Sequence, residues 1–395
     1  MNNSNTIQSN SNLTLNLVSL TNSNNIVSGG TFNITASGNI ANSGNLQSAD
    51  NFTINAASFT NSASSLILAG KDLTVRASSI TNQNTKPSTS TITSGIVSAN
   101  GNILLQTDIL NNNSGLIAGK STTVNALNAT SVNLYNTLGA FISTAAISLN
   151  LGALDYTITG TVTADNVDIT ASNITNQGNV TASDYIKLNA TGVSGSGTIT
   201  NGFASGDNSS VQLAAGTYVD LTAKNNINNY GTILGSTDTT ITSTYGNINN
   251  YSTGKITGGS GTTTINTLNG AFNNTDQTSL FTANNNAIFN SKDLNNTGEI
   301  SVANDLTTNI TNNLTNNPTA LIWSGHDITF NIANTFLNNQ ADIYADRNLT
   351  IQKNTSSDSS QNKTNLVQNI SGNIETYSGD MIIKARQPLK TRGVA

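Results

Sequence analysis

The sequence contains no cysteine, only three prolines, and few charged or aromatic residues. Without cysteine, the chain can form neither disulfides nor thiolate metal sites. Charged residues make up 9% of the 395 residues, and the formal net charge is −5. Because the chain lacks a positive field, we expect no nucleic-acid binding and no attachment to anionic membranes. The one basic cluster, Lys384 to Arg392, has no interleaved aromatic residues and is interpreted as a solvated tail.

Long apolar runs are also missing. No window reaches the length of a membrane span, and Met1 is followed by polar residues rather than by a basic and then an apolar segment. If the protein is exported, we expect its signal to lie outside this sequence. Low charge combined with many Asn, Ser and Thr residues is typical of disorder, but the regular pattern described next argues against disorder.

The sequence repeats a unit whose clearest copy is Asn296–Asn316, and the next copies begin at Asn317 and Asn339. Inside a unit, apolar residues alternate with Thr, Asn and Ser, as in Leu73–Val75, which places every second side chain on one face of a short strand. Gly, Asn, Asp and Ser separate these strands and indicate turns. Three strand-and-turn steps fit into one unit.

One unit alone cannot bury its apolar face, so the chain is expected to coil and to stack each turn on the previous one. The sequence therefore predicts an all-β fold, a right-handed parallel β-helix with turns of 19 to 24 residues. A leucine-rich repeat is disfavoured, because the dense leucine pattern and the helical return arm are missing. We expect one continuous body in which the leading asparagines form an internal ladder of mutually bonded amides. The leading asparagines of the most regular region are Asn229, Asn250, Asn274, Asn296, Asn317 and Asn339.

The pattern also predicts boundaries. Residues 1–12 are expected to form a polar tail, residues 13–385 the repeat region, and residues 386–395 a C-terminal tail. Looped insertions are expected near residues 83–95 and 354–365, and the register is blurred over residues 134–160.

Recurring aspartates, one histidine and a glycine-rich stretch are the features with catalytic or metal-binding potential. An aspartate recurs at the turn before the second strand, where its carboxylate can cap backbone N–H groups, and such recurrence does not suit the local carboxylate pair of a glycosidase. The single histidine, His326, precedes Asp327 and is interpreted as a solvated turn residue. The Gly258–Gly261 stretch lacks the aspartate of a calcium-binding repeat. No catalytic, cofactor-binding or metal-binding residue is predicted, and the protein is not expected to be an enzyme. The recurring aspartates are Asp50, Asp72, Asp165, Asp184, Asp327 and Asp346.

Tyrosines are spread along the chain, and exposed ones could contact glycans, although scattered surface aromatic residues are common. The tyrosines considered are Tyr135, Tyr156, Tyr218, Tyr230, Tyr245 and Tyr251.

The repeated pattern Asn-x-Gly-x-Ile-x-Ala, followed by Asp/Asn-Leu-Thr-Ile-x-Ala, resembles the repeats of the filamentous haemagglutinin family over roughly residues 26–385. These are large exoproteins of bacterial two-partner secretion, including adhesins and the sticks of contact-dependent inhibition toxins. The resemblance implies a right-handed β-helix, export by an outer-membrane transporter, and a location outside the cell or on its surface. The family's secretion domain with its Asn-Pro-Asn motifs is not found, nor is a C-terminal toxin domain.

The resemblance favours a non-enzymatic filament segment of an adhesin or toxin-delivery protein. Such a segment is expected to be a monomeric rod that presents regions binding a host or target-cell receptor or glycan. Two alternatives stay open, namely a glycan-binding or glycan-cleaving β-helix and an autotransporter passenger.

Overall fold

The computed structural model describes residues 1–62, 64–88, 91–354, 361–387 and 390–392. Every regular secondary-structure element assigned in these residues is a β-strand. The chain coils into a parallel β-solenoid of about 17 turns with about 21 residues in each turn, which confirms the predicted all-β solenoid.

Each regular turn contributes three strands, which we assign to rows A, B and C in chain order. In one turn these are Glu299–Val302, Leu306–Ile310 and Asn313–Asn316. Alternate side chains point inward: Ile300, Val302 and Leu306 are at most 1% exposed. The period-two alternation of the sequence therefore becomes the inside and the outside of the coil.

The chain divides into two compact units, Met1–Ser183 with Thr191–Gly195, and Asp184–Ala190 with Ser196–Ala395. The strand Asn179–Ala190 contains the division between residues 183 and 184.

The strands of the first unit fall into the three rows. Row A contains Ile7–Ser9, Asn25–Ser28, Asn45–Ser48, Leu66–Ala69 and Gly95–Ser98. Row B contains Leu13–Leu17, Phe32–Ala36, Phe52–Asn55, Leu73–Arg76 and Ile103–Gln106. Longer strands run through rows A and B without a break: Leu116–Asn125, Ala140–Asn150 and Thr161–Ala171. Row C contains Asn2–Asn3, Leu20–Asn22, Asn39–Asn42, Ser58–Ser62, Ser79–Gln83, Ile109–Asn111, Asn133–Tyr135, Tyr156–Ile158 and Ile174–Asn176.

The second unit repeats this arrangement. Row A contains Gln212–Ala215, Thr232–Gly235, Lys255–Gly258, Leu280–Ala283, Glu299–Val302, Leu321–Ser324, Asp342–Ala345 and Asn373–Thr376. Row B contains Tyr218–Ala223, Thr239–Ser243, Leu306–Ile310, Ile328–Ile332, Leu349–Gln352 and Met381–Ile383. Two strands run through rows B and C, Thr262–Asn274 and Asn286–Asn296. Row C contains Ile199–Asn201, Ile227–Asn229, Ile248–Asn250, Asn313–Asn316, Thr335–Asn339, Leu366–Ile370 and Lys390–Arg392.

Two segments with weak sequence patterns join the coil. Asn2–Asn3 and Ile7–Ser9, which lie where composition predicts a polar tail, pair in parallel with Leu20–Asn22 and Asn25–Ser28. Within residues 134–160, the strand Ala140–Asn150 pairs with its neighbours through register shifts. Such bulges insert residues without ending the ladder, and they explain why the sequence period blurs there.

The coil encloses a ladder of buried asparagines in row C, which confirms the predicted amide ladder. In the first unit, the Nδ2 of each asparagine donates to the Oδ1 of the next at 2.7 to 3.0 Å. Its members are Asn3, Asn22, Asn42, Asn61, Asn82, Asn112 and Asn136. Because an amide both donates and accepts, each member satisfies a polar group of its neighbour inside an apolar core.

The ladder of the first unit stops at Asn136. Its buried Nδ2 donates to no further ladder amide in the described residues, and the polar group near it is the buried hydroxyl of Tyr156. Two residues after the inward Tyr156, where other turns carry the ladder asparagine, this turn has the fully buried Ile158, which is paired with Asn176 of the next strand. An isoleucine can neither accept the proton of Asn136 nor donate one onward.

A second ladder with the same direction of donation runs through the second unit at 2.8 to 2.9 Å, and its members are Asn201, Asn229, Asn250, Asn274, Asn296, Asn316, Asn338 and Asn369. The prediction of Asn317 and Asn339 as members was wrong. Asn316 and Asn338 lie two residues after the inward Leu314 and Phe336, so they point inward, whereas their neighbours point to the outside.

Candidate functional site

The turn between rows A and B carries a column of Asx side chains that bond to the next turn of the coil. Asn286 Oδ1 accepts the N–H of Asp305, Asp305 Oδ1 that of Asp327, and Asp327 Oδ1 that of Asn348, all at 3.1 to 3.2 Å. Asn348 Oδ1 accepts the N–H of Asp380 at 3.0 Å. These contacts confirm that turn carboxylates cap backbone N–H groups.

The predicted aspartates share this turn but not one position. Counted back from the first inward residue of row B, Asp72 and Asp327 lie one residue before it. Asp50, Asp165 and Asp184 lie two residues before it, and Asp346 three. All six therefore lie in the predicted turn before row B, but at different distances from the strand, because the turns differ in length. Asp305, which does occupy the position of Asp327, was missed.

His326 lies in this turn, 45% exposed, with Nδ1 3.8 Å from Asp305 Oδ1. The Arg347 guanidinium lies closer to the acidic residues, with Nη2 3.2 Å from Asp327 Oδ2 and 3.6 Å from Asp305 Oδ1. The residue before His326 must be glycine, since a Cβ on Gly325 would lie 2.3 Å from the Ala303 carbonyl oxygen. The histidine thus lies exposed beside the ion pairs of Arg347 with Asp305 and Asp327, as expected for a solvated turn residue.

Two turn carboxylates are held in the ionised form. Desolvation opposes ionisation of Asp327, but the N–H of Asn348 and the Arg347 guanidinium outweigh it and lower the pKa of Asp327. The pKa of Asp108 is lowered chiefly by the N–H groups of Ala129 and Asn128. Both shifts arise from bonds that hold turns together, and they favour a carboxylate over a proton donor.

Aromatic residues gather on the outside in groups that the one-turn step creates. Tyr230 and Tyr251 stack with ring centroids 4.3 Å apart. Tyr185 and Tyr218 stack at 5.1 Å, and the Lys187 ammonium lies 4.7 and 5.5 Å from their centroids. Tyr135 and Tyr245 are exposed, but Tyr156 is 1% exposed and belongs to the core, so the interpretation of the tyrosines as surface residues was wrong for Tyr156.

One aromatic group lines a groove of about 350 Å³ on the outside of the second unit. Trp323 and Tyr344 are register partners on adjacent row-A strands. Asp346 accepts the indole Nε1–H of Trp323 at 3.3 Å, which orients the ring. Glu375 follows Tyr344 in the same register, and Tyr377 is 90% exposed. The groove is lined by Trp323, Tyr344, Ala345, Asp346, Glu375, Thr376 and Tyr377.

The sequence pattern did not predict this groove, because Trp323, Tyr344 and Tyr377 belong to different repeat units. The signal was available: Trp323 and Tyr344 are one turn apart, as are Tyr230 and Tyr251.

No group of three or more His, Asp or Glu side chains suited to a metal ion occurs in the described part of the chain. Residues 1–62, 64–88, 91–354, 361–387 and 390–392 include no helix that is long and apolar enough to cross a membrane.

The fold and the repeated contacts define the chain as a parallel β-solenoid repeat protein. Comparisons with protein-family models, with curated proteins and with solved structures gave no match.

Proposed function

We propose that this chain is a non-enzymatic stalk segment of a secreted or surface-bound bacterial exoprotein, an adhesin or a toxin-delivery protein. The proposal rests on the interchangeability of its turns. Between Asn229 and Asn338 successive turns repeat the same register and the same buried amide bonds. A stack whose units contact only their neighbours can grow in length without redesign, which suits a spacer.

The contacts of the acidic residues support the same reading. Asp305 and Asp327 each accept a backbone N–H of the following turn, and both bind Arg347. Carboxylates engaged in this way hold the turns in place, and His326 contacts this network from an exposed position. The partners under this proposal are an outer-membrane transporter, as the family resemblance implies, and a receptor or glycan on a target cell.

The test shortens the stalk inside the bacterial protein that contains it. Removing residues 297–316 takes out one turn, because Asn296 and Asn316 are bonded ladder neighbours 20 residues apart. Asn296 would then precede Asn317 as Asn316 does now. Each turn adds about 4.8 Å, so secretion, protease resistance and target-cell binding should survive with a stalk shorter by that amount.

The matched control removes only residues 297–306, about half a turn, which places strands against turns and should cause loss of the secreted protein. If the full-turn deletion is secreted and folded but no longer binds target cells, this segment is itself the binding region and the stalk proposal is wrong. Turnover of a uronate polymer that disappears in His326→Ala would likewise overturn the non-enzymatic assignment.

A further inference from the structure

The groove around Trp323 combines aromatic rings with negative charge. Three aromatic side chains, Trp323, Tyr344 and Tyr377, line it together with the carboxylates of Asp346 and Glu375. No lysine or arginine is among its lining residues. The nearest basic residue in sequence, Arg347, directs its guanidinium to Asp327 and Asp305. The groove therefore has a negative potential over aromatic faces, and this combination attracts cations.

A second aromatic pair in this chain already binds a cation. Tyr185 and Tyr218 lie in register on adjacent strands, as Trp323 and Tyr344 do. Lys187 lies over both tyrosine rings, at 4.7 and 5.5 Å from their centroids. No lysine or arginine is among the residues that line the groove beside Trp323 and Tyr344, so a cation bound there would come from outside the chain.

We propose that this groove binds a quaternary ammonium group of the choline type. Such a cation is weakly hydrated, so placing its methyl groups against indole and phenol rings costs little desolvation, and the ring quadrupoles attract its charge. Asp346 and Glu375 supply the neutralising charges. Asp346 is already fixed by the Trp323 indole N–H, so one wall of the site is preorganised. This inference does not depend on the stalk proposal.

The chain offers a direct readout, because Trp323 is its only tryptophan. Choline chloride is titrated at constant ionic strength while Trp323 fluorescence is recorded, and calorimetry checks the binding. The matched ligand is 3,3-dimethylbutan-1-ol, which has the shape of choline without its charge. Methyl glucoside tests for a neutral sugar. We expect saturable binding of choline and no saturation with the two neutral compounds.

The variants Tyr377→Ala and Glu375→Gln should each weaken choline binding about fivefold, as expected for the loss of one aromatic or charged contact worth roughly 1 kcal/mol. Both side chains are exposed, so neither change should affect folding. The controls are Tyr245→Ala and Glu299→Gln, which remove an exposed tyrosine and a carboxylate outside the groove and should leave binding unchanged. The proposal is overturned if choline does not bind, if 3,3-dimethylbutan-1-ol or methyl glucoside binds equally well, or if the control variants weaken binding as much as the groove variants.

Discussion

The asparagine ladder makes a quantitative prediction at Asn296. Its Nδ2 donates to Asn316 Oδ1 at 2.9 Å and to the Leu321 carbonyl at 3.0 Å, and its Oδ1 accepts from Asn274 at 2.9 Å. Asn296→Ala deletes these three bonds in a fully buried position. At about 1 kcal/mol of net stability for each bond, the free energy of unfolding should fall by about 3 kcal/mol.

The neighbouring Asn295 is the matched control, because it is the same residue type on the same strand with its side chain outside. Its Nδ2 donates to Asn273 Oδ1 at 2.8 Å, but the residue is half-exposed and water can replace the lost bond. Asn295→Ala should therefore cost about 0.5 kcal/mol. The two variants differ only in the side of the strand from which an amide is removed.

Urea denaturation followed by Trp323 fluorescence suits this comparison. A long stack of turns can unfold in parts, and Trp323 lies on the strand Leu321–Ser324, whose Leu321 carbonyl accepts a hydrogen bond from Asn296. A third variant, Asn296→Asp, replaces the donor by oxygen and directs a carboxylate at two acceptors. It should be less stable than Asn296→Ala at neutral pH, and its deficit should shrink as the pH falls and the carboxyl gains a proton. Equal losses in Asn296→Ala and Asn295→Ala would refute the ladder as a source of stability.

Three further predictions concern the core. Thr263 has a buried hydroxyl without a hydrogen-bond partner in the described residues, so Thr263→Val should leave stability in thermal denaturation unchanged or raise it. In the control Thr239→Val, loss of the hydrogen bond to the Thr257 carbonyl should lower the free energy of unfolding by about 1 kcal/mol. Ile158→Asn should leave the free energy of unfolding nearly unchanged, because new amide bonds to Asn136 offset the lost apolar burial. The control Ile40→Asn changes an inward position of row C whose neighbouring ladder amides are already paired, and it should lower the free energy of unfolding by about 3 kcal/mol or more. Equal losses in the two variants would contradict the account of the ladder end. Ile300→Asp should cost several kcal/mol and Glu299→Ala nearly nothing, and similar melting shifts would contradict the register.

Most of the fold could be predicted from the alternation of apolar and polar residues. Because inward residues such as Ile300 and Val302 follow a period of two, the strands, their inner faces and the stacking could be predicted without a relative of known structure. The longer ladder steps also fit the predicted insertions. Asn82 and Asn112 are 30 residues apart across residues 83–95, and Asn338 and Asn369 are 31 apart across residues 354–365, of which residues 355–360 lie outside the described part.

Residue type alone gave the wrong choice where two candidates were adjacent. Both Asn316 and Asn317 are asparagines, and only the distance from Leu314 shows which one points inward. The aspartates share the predicted turn, but residue type alone does not show that Asp346 and Asp327 lie at positions that differ by two. Whether a residue is an even or an odd number of positions from a known inward residue is a better criterion than its type, because a shift of one residue exchanges the inner and outer faces.

The groove could not be read from composition, because its parts are far apart in the sequence and come together only through the register. Trp323 is placed beside Tyr344 by the pairing of Leu321 with Asp342, and Tyr344 beside Glu375 by the pairing of Asp342 with Asn373. Tyr344 and Glu375 are separated by the predicted insertion at residues 354–365, so their spacing in the sequence is far from 21 residues. A search for aromatic residues at one-turn spacing would find the first pair, but the acidic half of the groove depends on an insertion whose length no repeat pattern specifies. In a solenoid the inner face is constrained by every neighbouring turn, whereas an outer site needs only two or three turns in register. Specific binding chemistry can therefore arise on a stalk without disturbing the stack that supports it.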